Sequence, residues 1–275
     1  MNFAGSRRDM VVPIANRVSG MIVGCQAWNF HRETVVDAIE KTAQTGAKVI
    51  EFFPGQRIGG ETGDARFGPD TPDAALYAVK EKLGKHGVQA VAFGVTGFGK
   101  NDDANRKTFE FARKMGIGTI TCEPDASVMD ALDKLVAEYD IKVAIHNHPR
   151  KPNDANYRYW DPKYVLSVVK DHDRRIGACA DTGHWVRSGV KPVDGLKILR
   201  GRVLSLHLKD LDKFAPNGAD NPFGTGVSDI PAILRELKAQ KFDGVISIEY
   251  ENNWDRSVPE IAQCIGYIRG WGDRA

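Results

Sequence analysis

Met21-Ile22-Val23-Gly24-Cys25-Gln26-Ala27-Trp28 opens the regular part of the chain, and a pattern it lacks decides the fold. It reads as a short apolar strand, followed by a helical stretch with Val35, Val36, Ile39 and Ala43 that ends at Gly46. In an open doubly wound sheet, this first strand-to-helix turn usually carries G-x-G-x-x-G, whose glycines let backbone approach a pyrophosphate. Gly24-Cys25-Gln26-Ala27-Trp28 does not. Outward from it, the same alternation repeats to the end of the chain. Apolar runs stand at 21–25, 48–52, 88–93, 119–122, 142–145, 176–180, 203–208 and 245–248. Between them lie stretches with apolar residues at helical spacing, such as Leu76, Val79 and Leu83, or Met129, Leu132, Leu135 and Val136. Thr71-Pro72 opens one helix that stops at Gly87, and the next, with Phe109, Phe111, Ala112 and Met115, stops at Gly116. Later helices are expected at 162–172, 193–199, 230–237 and 258–268, with Asp229 as an N-cap. Eight strand–helix units of roughly 32 residues predict an α/β fold, a (β/α)8 barrel.

The length of 275 residues suits one such barrel, and no linker or composition break divides it. The expected organisation is an irregular extension at 1–19 and a single barrel domain at 20–275. Lys plus Arg number 38 against 36 for Asp plus Glu, a net charge of +2, which argues against a nucleic-acid binder working through bulk charge. Cys25, Cys122, Cys179 and Cys264 are scattered without a C-x-x-C pair, so they form neither a disulfide framework nor a zinc knuckle. They read as buried thiols in a reducing compartment, which favours the cytoplasm. Ser6-Arg7-Arg8 faintly resembles a twin-arginine signal, but Pro13, Asn16 and Arg17 interrupt the stretch where its apolar region would lie. No apolar run approaches the roughly 20 residues that span a bilayer, so no membrane partner is expected. A homo-oligomeric assembly is left open.

Chemistry in such a barrel sits at the C-terminal ends of the strands. Those ends carry Glu51, Glu123-Pro124, His146-Asn147-His148, Asp181-Thr182-Gly183-His184-Trp185, His207-Leu208-Lys209-Asp210 and Glu249-Tyr250-Glu251. Strand alternation sorts them by face. Leu204, Leu206 and Leu208 should meet the helices, so Ser205, His207 and Lys209 point inward. By the same count Ser247, Glu249 and Glu251 point inward, as do Ala144, His146 and His148 on one strand and Gly177, Cys179 and Asp181 on the next. His146, Asp181, His207 and Glu249 thus converge from four consecutive strands. A ring of nitrogen and oxygen donors suits a divalent cation such as Mn, Co, Zn or Mg.

These segments resemble the xylose-isomerase-like TIM barrels, the sugar isomerase/epimerase superfamily that also contains endonuclease IV. The likeness is carried by Ala180-Asp181-Thr182-Gly183-His184, Ser205-Leu206-His207-Leu208-Lys209-Asp210 and Ile246-Ser247-Ile248-Glu249-Tyr250-Glu251. Phe223-Gly224-Thr225-Gly226 ahead of Asp229-Ile230 adds to it. The resemblance implies a divalent metal held by Asp181, His207, Glu249 and one residue of the fifth strand. Sugar epimerases have a glutamate followed by proline there; this chain has His146. In those enzymes the glutamates of the fifth and eighth strands act as acid/base partners, so the departure bears on two-base epimerisation. Glu123 is the candidate to restore the missing carboxylate.

The implied enzyme is a metal-dependent sugar isomerase or epimerase that abstracts a proton next to a carbonyl through an enediolate. The alternative is a lyase or hydratase that acts on a 3-keto-sugar or 3-keto-glycoside by β-elimination. Glu249 is the candidate base, His148 a second acid, and Lys209 a stabiliser of negative charge or an ion-pair partner of Asp210 or Glu251. Substrate contacts are expected from His184, Trp185, Glu51 and Trp28, with Phe53, Trp160 and Trp254 as further aromatics that either stack on sugar or pack the rim. Arg150, Lys151, Arg158 and Arg187 are either receivers of an anionic group or a solvated rim. A repair nuclease on this barrel needs more metal ligands and a basic face, so the partner expected is a small sugar or keto-sugar rather than nucleic acid.

Overall fold

Apolar residues that alternate along a strand give it one face for the helices and one for the barrel axis, and this decides how the chain closes. The computed structural model describes residues 10–272; the Ser6-Arg7-Arg8 motif lies outside the described residues. The strands are β1 (Ile22–Gln26), β2 (Val49–Phe52), β3 (Gln89–Thr96), β4 (Thr119–Cys122), β5 (Lys142–His146), β6 (Ile176–Asp181), β7 (Val203–Leu208), β8 (Asp210–Leu211), β9 (Asp220–Asn221) and β10 (Val245–Ile248). Seven of them, β1 to β7, close with β10 into a parallel barrel, so β10 pairs with both β1 and β7. The short strands β8 and β9 form an antiparallel ribbon beyond β7 that the sequence pattern did not announce.

The helices are α1 (Val35–Gln44), α2 (Asp73–His86), α3 (Asp102–Met115), α4 (Met129–Tyr139), α5 (Pro162–Val169), α6 (Thr182–Arg187), α7 (Pro192–Ile198), α8 (Ile230–Ala239) and α9 (Val258–Gly272). Their starts follow local chemistry. Thr34 and Asp37 form a reciprocal capping box on α1, and the Asp229 side chain accepts from the Ala232 backbone at the start of α8. Leu206, Leu208, Ile246 and Ile248 face outward into the main core with Ile39, Val79, Leu132, Leu196 and Ile233. At the N-terminal end of the barrel a smaller cluster joins Val12 to Val49, Val91, Ala92 and Val245, so the segment before β1 covers the barrel floor. No helix among the described residues is long and apolar enough to cross a membrane.

Two local differences from the sequence expectation shape the mouth. β3 continues past Phe93 to Thr96, where it pairs with Cys122. Gly94 reads as a strand breaker, but a Cβ there would lie 2.0 Å from the Thr121 carbonyl oxygen, so glycine permits a close approach of β3 to β4. And the residues after Asp181 form the short helix α6 rather than a loop.

Candidate active site

The site begins at Asp181, the last residue of β6 and the N-cap of α6. Its Oδ1 accepts from the His184 backbone N–H at 2.7 Å. Asn147 fixes the same residue from β5's exit, donating to Asp181 O at 3.0 Å and accepting from Asp181 N at 2.9 Å. With Oδ1 and the backbone committed, Oδ2 is left aimed at the barrel axis. Around it stand Lys209 Nζ at 3.3 Å, His146 Nε2 and His184 Nε2 at 3.6 Å each, and His207 Nδ1 at 3.9 Å.

Glu249, just after β10, lies 3.3 Å from His207 Nδ1 and 2.8 Å from Lys209 Nζ through its Oε2. Donor atoms of His146, Asp181, His184 and Glu249 all lie within 4.8 Å of one another. That group holds three of the four expected ligands, with His184 in the place of His207; His207 stands at its edge, 3.3 Å from Glu249 and 3.9 Å from Asp181. Both ring nitrogens of His146 and of His207, and Asp181 Oδ2, are buried without a well-aligned hydrogen bond and meet only the opposite charges around them, at 3.1–3.9 Å. Buried polar atoms held so loosely are rare and leave room for a ligand. Two carboxylates among imidazoles form a donor set that fits a divalent cation.

Electrostatics reinforce the charged state of the carboxylates. Burial pushes the Asp181 carboxyl up, but His184 and Lys209 together hold it well below its usual range. Burial likewise works against the Glu249 anion, and Lys209 and His207 overcome it. Burial drives the His184 imidazole well below its ordinary value, whereas for His146 and His207 the neighbouring acidic groups outweigh burial and raise them above theirs.

A second group stands beside this one. Glu123, after β4, accepts from the Tyr157 hydroxyl at 2.7 Å, and its Oε1 lies 2.5 Å from His148 Nδ1. The Tyr157 hydroxyl in turn accepts from the His148 backbone N–H at 2.7 Å. Burial raises the Glu123 carboxyl, but the His146 ring 3.6 Å away and hydrogen bonds from His148 and Tyr157 keep it ionised and below its usual range. His148 is thus backed by an anion at Nδ1, while its half-exposed side chain lines the cavity.

That cavity has a volume of 340 Å³ and lies over both groups. Its ionisable wall is His146, His148, His184, Glu249 and Glu251; Trp28, Phe53, Pro54 and Val95 form the apolar part. Trp28 packs edge-on against Phe53, with ring centroids 5.0 Å apart, and stacks on His31 at 4.7 Å. Gln26 ties the exits of β1 and β3, donating to Gly94 O at 3.0 Å and accepting from Trp28 N at 2.8 Å.

Several expected contacts are placed elsewhere. Glu51 lies fully buried below the cavity, with Oε1 accepting from Thr121 at 2.7 Å and 3.1 Å from His207 Nε2, and Oε2 paired with Ser247. It orients His207 rather than meeting substrate. Trp185 is 1% exposed and faces the core, its ring pressed on Gly195, because α6 turns it away from the mouth. Lys209 is buried behind the ligands and pairs with Glu251 Oε2 at 2.7 Å, not with Asp210. Asp210 instead accepts from the backbone N–H groups of Gly224, Gly226 and Ser228 and so folds the glycine-bearing loop. Glu123 does not line the cavity itself; it stands behind two members of the ionisable wall, 2.5 Å from His148 and 3.6 Å from His146. Arg187 binds Glu251 and Asp220 at 3.2 and 3.3 Å, so it is committed to the protein. The single-letter pattern carried no signal for Asn147, Tyr157 or Asp220, since each acts through contacts distant in sequence.

The barrel with ionisable groups at its C-terminal mouth agrees with sequence comparison: the xylose isomerase-like TIM barrel profile matches residues 39–269. The chain belongs to this family. Among solved structures, an uncharacterized protein from Parabacteroides distasonis is 33% identical, covering 91% of this chain and 98% of that one at a TM-score of 0.73. D-allulose 3-epimerase from Methylomonas sp., solved with D-allulose, shares the fold at 14% identity and a TM-score of 0.68, covering 91% and 96% of the two chains. An uncharacterized protein of Methanocaldococcus jannaschii is 29% identical over 132 residues, 46% of this chain and only 42% of that protein's length.

Proposed function

We propose that this protein is a divalent-metal-dependent sugar isomerase or epimerase that removes a proton next to a carbonyl. The observation that carries this reading is a cavity walled by His146, His184 and Glu249, with Asp181 Oδ2 3.6 Å from both of those imidazoles, beside the His148 imidazole that Glu123 backs. His146, Asp181, His207 and Glu249 would hold the metal, with His184 beside them. A bound cation polarises a substrate carbonyl and stabilises the negative charge left by deprotonation. The protein's own residues do the rest. With Nδ1 engaged by Glu123, His148 presents Nε2 to the cavity, where it takes or returns a proton. Glu51 keeps His207 oriented, as carboxylates do for metal-bound imidazoles. Trp28 and Phe53 offer an apolar surface to the C–H face of a sugar and exclude water.

A second reading, a lyase or hydratase on a 3-keto-sugar or 3-keto-glycoside, is favoured by one feature. His146 stands where a second carboxylate base would be, and Glu123 is engaged with His148 and Tyr157. A single proton shuttle suits abstraction and delivery on one face, as in elimination of a β-leaving group. The two readings part on products. Metal-reconstituted protein would be incubated with free ketoses and with 3-keto-glycosides and monitored by NMR. An epimer or aldose–ketose pair supports the first reading, loss of the glycosidic group supports the second, and neither product from any substrate would sink both.

A further inference from the structure

We propose that Lys209 is the chain's own competitor for the metal: its ammonium holds the Asp181 and Glu249 carboxylates and thereby sets how tightly a divalent cation binds. This rests on the metal reading above. Lys209 is a fully buried lysine, and its position is built rather than incidental. Its backbone N–H donates to the Thr182 hydroxyl at 2.9 Å, and that hydroxyl donates to its carbonyl at 3.1 Å. Its stem runs across Gly183, where a Cβ would meet Lys209 Cδ at 2.7 Å and Cβ at 2.8 Å. The glycine beside Asp181 is thus required by the lysine after His207, which gives the Asp-Thr-Gly-His and His-Leu-Lys-Asp segments a shared physical purpose.

The ammonium so placed meets three carboxylates: Glu251 Oε2 at 2.7 Å, Glu249 Oε2 at 2.8 Å and Asp181 Oδ2 at 3.3 Å. Two of these oxygens are the ones that also face the imidazoles, Glu249 Oε2 toward His207 and Asp181 Oδ2 toward His146, His184 and His207. A cation among those donors and the lysine therefore draw on the same atoms. At such spacing a monocation repels a dication strongly, even at an effective dielectric of about 20. Glu251 gives Lys209 a second anchor, itself steadied by Arg187 at 3.2 Å. When the cation takes Asp181 and Glu249, the ammonium remains paired with Glu251. Without the lysine, the carboxylates of the metal-free protein would be buried with less compensation, at a cost to its stability.

The test compares chelator-stripped wild type, Lys209→Met and Glu251→Gln by calorimetric titration with Mn2+ and Zn2+, and by thermal melting with and without metal. Lys209→Met is expected to bind at least about tenfold tighter than wild type. Its metal-free form should melt lower, and metal should raise its Tm by more. Glu251→Gln, which leaves the ammonium only Asp181 and Glu249, should bind more weakly. Unchanged or weaker binding by Lys209→Met overturns the proposal. If that variant does not fold, unchanged or tighter binding by Glu251→Gln overturns it instead. Failure of wild type and both variants to bind either metal removes the metal reading and this proposal together; equal affinities remove this proposal alone.

Discussion

The two halves of the barrel mouth differ in kind. Exits from β1, β2 and β3 bring Gln26, Trp28, Phe53, Pro54 and Val95 to the cavity, with no ionisable group among them. Exits from β5, β6 and β10 bring His146, His148, His184, Glu249 and Glu251. On the proposed function, the first half would hold the sugar and the second would act on it. The contrast extends beneath the surface: Glu51, the first half's buried acid, serves the second half by bonding toward His207. The ionisable groups of this barrel are thus pooled on one side of the mouth and the aromatic ones on the other. Removing groups from either half should therefore change different observables.

The largest effect is expected from Asp181→Asn. An asparagine still caps α6, so the fold should persist, but the Oδ2 anion shared by three imidazoles is lost. Turnover should drop by about a thousandfold or more and metal binding should weaken, measured by steady-state kinetics and calorimetry. His148→Gln should lower kcat by about 10²–10⁴-fold with metal affinity near wild type, since it removes the proton carrier and not a ligand. On the other wall, Trp28→Ala should raise KM about three- to tenfold with kcat largely kept, the size of one lost stacking contact. A Trp28→Ala variant that loses kcat instead would erase the division between the halves.

The smallest effect concerns the ribbon that flanks the ionisable half. Asp220 is buried, and burial raises its carboxyl to about 6 despite Lys209 and Arg187. Its folded value exceeds the unfolded one of about 3.9, so its contribution to stability is present below pH of about 4 and is lost as pH rises toward 6. Urea melts across that window should show wild type losing part of its stability as pH rises. Asp220→Asn, which cannot ionise, should show a flatter profile.

The barrel was legible because each βα unit pairs an apolar strand with a helical stripe, while side chains cap α1, α3, α5 and α8 and glycines stop α2 and α3. The inward faces of β5, β6, β7 and the exit of β10 were legible for the same reason, as side chains alternate along a strand. Alternation reports the face and not the height. Glu51 has the right face but sits a layer below the cavity, under His207. Lys209 keeps the inward face that the count gives it although β7 ends at Leu208, and its ammonium lies among Asp181, Glu249 and Glu251. Trp185 went astray because Asp181 caps a helix, and one turn of α6 reverses the direction a loop would have given it. The link from His148 through Glu123 to Tyr157 joins β4 and β5 exits with a residue of the next loop, a contact that no local pattern encodes.

The central claim is that a metal and the His148 imidazole cooperate to break a C–H bond beside a carbonyl. The direct measurement is exchange of that substrate hydrogen with solvent deuterium, read by proton NMR for a ketose and for a 3-keto-glycoside. Metal-reconstituted wild type should exchange it. Chelator-stripped protein and metal-loaded His148→Gln should both be strongly impaired. Exchange that is undiminished without metal, or undiminished in His148→Gln, would contradict the account.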